Sequence, residues 1–217
     1  MICRRVVAAA VLGALVSACS PEAGTSPRVV PTPASSSSCR PIDVGVFRTV
    51  RYDYQAIASW EQLLAQYDGI VVVGRVGGYT ESLRRHVVMR IEVDRVLRDS
   101  GEPVVQDGAA YLAFWRGAEE GGSGRQVFDA GDFAEAVPSG TRLLAVVSAA
   151  PPRLQRRADL AAGGVLGQSG IQGLFLDGCG ALVGARDHLM PSGPEFGSYD
   201  ALVAAVERLT RGSRGGP

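Results

Sequence analysis

Two histidines and four cysteines hold most of the nucleophilic, proton-transferring and metal-binding capacity of this 217-residue chain. His188 follows Asp187, and a carboxylate beside an imidazole is the pairing that orients a catalytic base. In a Ser-His-Asp site that orientation comes from packing in space, so adjacency along the chain predicts no triad by itself. Serines are plentiful, yet no Gly-x-Ser-x-Gly elbow is present, and Gly167-Gln168-Ser169-Gly170 only approaches one. His188 with a loop serine is therefore the one hydrolase arrangement on offer. His86 lies among Arg90, Glu92 and Asp94 on the polar face of a strand and reads as a surface histidine. No two His or Cys residues have the spacing of zinc ligands. Asp129, Asp132 and Glu135 depart from the EF-hand pattern and read as a solvated acidic loop rather than a calcium site. Gly178-x-Gly180-x-x-x-Gly184 has the wrong spacing for a dinucleotide fingerprint and precedes a strand, so a hairpin is expected. No catalytic residue, metal or cofactor is assigned from these patterns.

Composition removes further chemistries. All 22 basic residues are arginine, and neither lysine nor asparagine occurs. Both missing residues use AT-rich codons, which points to a GC-rich bacterial genome. Without lysine there is no Walker A loop, no Schiff-base amine and no Ser-x-x-Lys motif. Without asparagine there is no N-linked sugar. The chain balances 22 basic against 22 acidic residues, which argues against a nucleic-acid partner. Arg153, Arg156 and Arg157 form a local basic cluster that reads as a solvated loop.

The amino-terminal residues carry the strongest signal. Arg4 and Arg5 precede an apolar run from Val6 to Val16, then small residues and Cys19. This is the order of a secretory signal peptide, and the run is short of the about 20 residues a spanning helix needs. Val16-Ser17-Ala18-Cys19 resembles the lipobox of bacterial lipoproteins. The resemblance implies removal of residues 1–18 and acylation of Cys19, with the bilayer as a partner. Two or three acyl chains give stable anchoring where one does not, at about 0.8 kcal/mol per buried CH₂. The expected location is the extracytoplasmic face of the cell membrane. Residues 19–38 are rich in Ser, Pro, Thr and Ala and read as a disordered tether. One folded domain is expected over 39–211, with a disordered tail at 212–217. Cys39 and Cys179 are the remaining pair. Outside the cytoplasm they read as a disulfide worth about 4 to 5 kcal/mol in the chain-entropy model, the alternative being two free thiols.

The elements that must position these groups follow from local pattern. Ser59-Trp60-Glu61-Gln62 is a capping box, predicting a short helix through Leu63, Leu64 and Tyr67. Residues 70–76 form a β-branched strand with a bulge or bend at Gly74. Residues 77–82 read as a hairpin loop. In the strand from His86 to Leu97, Val87, Met89, Ile91 and Val93 share one face, and the alternation breaks at Arg95-Val96. Further strands are expected at 109–115, 142–148, 173–176 and 181–183, the last two joined by a tight turn at Asp177-Gly178-Cys179-Gly180. Residues 116–140 and 149–172 read as loops. Ser198 caps a final helix whose apolar stripe is Leu202, Val203, Val206 and Leu209.

The run from Asp68 to Val76, followed by Ile91 to Arg98, resembles uncharacterised exported lipoproteins of GC-rich Gram-positive bacteria. Gly140, the segment Gly170-Ile171-Gln172-Gly173-Leu174-Phe175 and the helix from Ser198 to Thr210 continue that resemblance. The first strands are also similar to those of netrin-like and metalloproteinase-inhibitor domains, which are OB-type barrels. Their cysteine framework and free amino-terminal cysteine are absent here, so the resemblance implies a fold and no binding residue. The resulting expectation is a mostly β (α+β) domain: a small antiparallel OB-like barrel or sandwich of about five to six strands. A short N-terminal helix and a C-terminal amphipathic helix flank it. The expected function is a membrane-anchored binding or interaction module for a protein or small-molecule ligand. The alternatives are a cell-envelope hydrolase using His188 and a structural assembly factor.

Overall fold

The computed structural model describes residues 40–48, 59–83, 86–117, 127–155, 160, 164–185 and 196–212. Cys19, Cys39, His188, the signal and tether segments and residues 213–217 lie outside them, while Gly212, expected in the tail, ends the last helix. In chain order the elements are a 3₁₀ turn (Gly45–Phe47), α1 (Trp60–Gln66), β1 (Ile70–Leu83), β2 (His86–Arg98), β3 (Val105–Gln106) and β4 (Ala109–Trp115). They continue with α2 (Ala130–Ala136), β5 (Arg142–Ala149), α3 (Pro152–Gln155), β6 (Leu166–Gly178), β7 (Ala181–Gly184) and α4 (Tyr199–Gly212). The protein is mostly β with a C-terminal helix, as the periodicity predicts.

The strands form one sheet in the order β3-β4-β2-β1-β5-β6-β7. The expectation of a purely antiparallel sheet of five to six strands is corrected on both counts. Seven strands pair among the described residues, and β4 meets β6 in parallel through Tyr111 opposite Leu166 and Leu112 opposite Gly167. The extra strand β3 exists because Asp107 and Gly108 both take positive φ, 49° and 71°, and make a two-residue turn from Gln106 to Ala109. The loops expected around 116–140 and 149–172 are also revised. Asp129 and Asp132 cap α2 reciprocally, each carboxylate accepting the other residue's backbone N–H at 2.9 and 2.7 Å. β6 starts at Leu166 rather than at 173. Its glycines read as a loop, but a Cβ on Gly167 would stand 2.5 Å from Val147, so this one serves close strand packing. β1 likewise runs on through the expected hairpin loop to Leu83.

Other local readings hold. Ser59 accepts the Gln62 N–H at 3.1 Å, and Ser198 accepts the Ala201 N–H at 3.2 Å. Register shifts fall at Val73/Gly74, and a Cβ on Gly74 would meet the Glu92 carbonyl at 2.3 Å. The last hairpin turns through Cys179 and Gly180, both at positive φ.

Alternation along the strands sorts the core. The inner face carries Ile70, Val72 and Val76 of β1, Val87, Met89 and Ile91 of β2, Leu112 of β4, Leu143 and Val147 of β5, and Leu174 and Leu176 of β6. The 3₁₀ turn and α2 close this cluster with Phe47 and Phe133, whose rings meet edge to face at 5.4 Å. On the outer face, α1 and α4 cover Val71, Val73, Leu144, Val146 and Phe175 with Trp60, Leu63, Leu202, Val203 and Val206. Fully burying each such side chain contributes about 1.5–3 kcal/mol. Arg98 fastens α1 to β2. Its guanidinium donates to the carbonyls of Leu64 at 2.6 Å, Gly69 at 2.7 Å and Tyr67. Burial lowers its pKa, and these carbonyls complete the end of α1, which lacks intrahelical donors.

Candidate binding face

The strand β2 places His86, Val88, Arg90 and Glu92 on the outer face, and β4 sets Trp115, Ala113, Tyr111 and Ala109 directly opposite them. Alternation brings this about: the intervening Val87, Met89, Ile91, Ala110 and Leu112 go to the inner core. His86 meets Trp115 edge to face, with ring centroids 5.2 Å apart. The histidine is half-buried there, and burial lowers its pKa from the usual imidazole value. Two pairs along, Arg90 donates to Glu92 at 2.7 Å. The Glu92 hydrogen bond raises the Arg90 pKa, with the Tyr111 hydroxyl adding to the same effect. Both side chains stay open to solvent, 45% and 57% exposed, so this pair adds little to stability.

Glycines shape the neighbouring strip of β1. Gly78 stands opposite Arg90 and has open space where a Cβ would be, while a Cβ on Gly77 would press on Arg90 and Glu92. The Arg90–Glu92 pair thus lies over Gly77. On the far side the middle of the face is roofed. Val88, Ala150 and Leu166 form a small apolar cluster with Tyr111, Ala113, Leu154 and Leu160. Gln155 holds this roof: its Oε1 accepts the Leu166 N–H at 2.8 Å, and its Nε2 donates to the carbonyls of Leu166 and of Ala150, the latter at 3.3 Å.

A charged belt extends the face across the sheet. Arg75 stands opposite Glu92 of β2 and Arg142 of β5, and pairs with Asp94 at 3.3 Å. Arg142 pairs with Asp177 at 3.1 Å and with Asp200 of α4, and its guanidinium carbon lies 4.6 Å from the centre of the Tyr199 ring. Its pKa is raised, chiefly by the Asp200 hydrogen bond. The belt seats the start of α4. The Tyr199 phenol is buried without a hydrogen-bond partner among the described residues, and burial raises its pKa.

The residues singled out in the sequence are placed as follows. His86 lies on the face just described, in contact with an aromatic ring rather than alone at the surface. Asp129 and Asp132 serve the α2 cap, and among the described residues no three His, Cys, Asp or Glu side chains are grouped to hold a metal. Asp132 and Glu135 do line an open cleft of about 340 Å³ with Arg40 and Asp43, where the chain enters the domain. Gly178, Gly180 and Gly184 belong to the last hairpin and its end. Cys179 is exposed, and its sulfur lies 3.6 Å from the carbonyl oxygen of Arg40. The structure brings together Trp115, Tyr111 and Arg90 with His86, which the sequence reading left unlinked. The signal that could have found them is the antiparallel register of two alternating strands, read as cross-strand pairs. Comparison with family models, with curated proteins and with solved structures finds no match.

Proposed function

We propose that the chain is a membrane-anchored extracytoplasmic lipoprotein whose folded domain binds a partner through the outer face of β2 and β4. The observation that carries the binding reading is the row of half-covered aromatic and exposed charged side chains at His86, Trp115, Tyr111, Arg90 and Glu92. The strand pairing supports an OB-like barrel as the scaffold. It runs β4-β2-β1-β5-β6, and β6 returns to β4 in parallel. By fold-level analogy, OB-type domains bind on the middle strands of the barrel, beside the β1–β2 turn and the loop before the last barrel strand. Among the described residues of this chain those strands are β2 and β4.

Acylated Cys19 supplies the anchor in this proposal, and residues 19–38 the tether. A bridge from Cys39 to Cys179 fastens the tether to the domain, a reading supported by the approach of Cys179 to Arg40. Amide exchange of the full-length protein, with and without solubilised cell envelope, tests the binding reading. Protection is expected over His86–Glu92 and Tyr111–Trp115. Protection confined to α2 or to the segment bearing His188 would defeat it, the latter in favour of the hydrolase alternative.

A further inference from the structure

We infer that Asp107-Gly108, in the turn between β3 and β4, is the modification site at which the folded chain converts an aspartate to isoaspartate. The reaction needs water alone. The backbone nitrogen of the glycine attacks the side-chain carboxyl carbon of the aspartate. An N–C bond forms, a C–O bond breaks and one water leaves as a five-membered succinimide closes. Water then reopens the ring. Attack at the former side-chain carbonyl restores aspartate. Attack at the former main-chain carbonyl leaves the main chain running through the side-chain carbons. Glycine is the most permissive follower because no Cβ shields its nitrogen.

Asp-Gly occurs at Asp68-Gly69, Asp107-Gly108 and Asp177-Gly178, and the fold treats these pairs differently. At Asp177 both carboxylate oxygens are engaged, Oδ1 accepting the Gly180 N–H at 2.6 Å and Oδ2 pairing with Arg142 at 3.1 Å. A Cβ on Gly178 would stand 2.6 Å from Val183. Gly69 is buried against the Val147 carbonyl, 2.5 Å from where its Cβ would be. Its own carbonyl accepts the Arg98 guanidinium at 2.7 and 2.9 Å. Asp107 and Gly108 are both exposed, and beyond its chain neighbours nothing stands within 4 Å of a Cβ built on Gly108. Among the described residues no hydrogen bond or ion pair ties the Asp107 carboxylate. Asp107 also holds a φ of 49°, a left-handed conformation that costs a residue with a side chain. β3 meets β4 through two residue pairs, Val105 with Ala110 and Gln106 with Ala109, so this turn opens more readily than a long ladder.

The change has a structural reach. The added main-chain carbon falls inside a two-residue turn, whose length sets the β3–β4 register. The Gly108 carbonyl accepts the Val93 N–H at 2.8 Å, and Ala109 stands opposite Glu92. Isoaspartate at 107 therefore loosens the Glu92 end of the outer face.

Ageing of full-length protein in detergent at neutral pH tests the inference, with a parallel sample in concentrated urea. Trypsin separates the Asp-Gly pairs into different peptides, and electron-transfer fragmentation reads isoaspartate at each. The folded protein should accumulate it at 107 about tenfold faster than at 68 or 177, and the urea sample should lose that excess. Equal accumulation at the three positions in the folded protein, or none at 107, would overturn the assignment. An excess at 107 that persists in urea would overturn its origin in the fold. Amide exchange on the aged protein should quicken at Val93 in proportion to isoaspartate at 107, and unchanged Val93 protection would overturn the structural reach.

Discussion

The two halves of the outer sheet face are built on different plans. Over β1, β5 and the second half of β6, α1 and α4 lay down Trp60, Leu63, Tyr199, Leu202 and Val206, and Phe175 meets Trp60 at a tilt with ring centroids 4.6 Å apart. Over β2, β4 and the start of β6 the cover is a four-residue helix, one glutamine clasp and small side chains at Ala113 and Ala150. The first half spends its side chains on packing. The second buries Val88, Ala109, Ala150 and Leu166, the first, third and fourth as one small cluster, and leaves Arg90 and Glu92 in water. Surface that contributes little to stability is where a protein can place recognition groups at low cost, and this contrast sets the order of the expected effects.

The largest effect belongs to the helix-covered half. Leu202→Ala should lower unfolding free energy by about 2–5 kcal/mol, as for other fully buried leucines. Leu154→Ala, in the thin cover, should cost clearly less in the same denaturant titration. Equal costs would erase the distinction. Next is Arg98→Met, which leaves the carbonyls of Leu64, Tyr67 and Gly69 without their donor and should cost about 1–3 kcal/mol. Calorimetry of the variant checks it.

In the thin half, Gln155→Leu removes the clasp and should cost about 1–2 kcal/mol. Amide exchange should quicken at Leu166 and Ala150 and stay unchanged beneath α4. The smallest effect is the pH response of His86. Its folded pKa lies below the ordinary 6.5 because burial disfavours the cation. The unfolded chain therefore binds more protons in the window just under 6.5, and stability contributed by the neutral ring is lost as pH falls through that window. His86→Gln should flatten that part of the melting-temperature profile relative to the wild type.

What could be read from the sequence tracks how local the cause is. The caps at Ser59 and Ser198, the bulge at Gly74 and the faces of β2 depend on neighbours in the chain, and all were legible. The α2 cap was missed because Asp129 and Asp132 replace the more familiar Ser-x-x-Glu pair. β3 was missed although Asp107-Gly108 is a two-residue hairpin signal, since only two residues precede it in the strand. The early start of β6 was hidden by its glycines, and at Gly167 the reason for glycine is the approach of Val147 from another strand. The binding face has the same non-local origin. His86 and Trp115 lie far apart in sequence and meet only through the β2–β4 register.

The most direct test of the central claim uses the two tryptophans, one in each half. Trp60 is 3% exposed under α1, and Trp115 lies on the proposed face against His86. Full-length protein labelled with 5-fluorotryptophan should give two ¹⁹F resonances. On addition of solubilised cell envelope the Trp115 resonance should shift or broaden while that of Trp60 stays in place. An unmoved Trp115 signal, or a change confined to Trp60, would contradict the account.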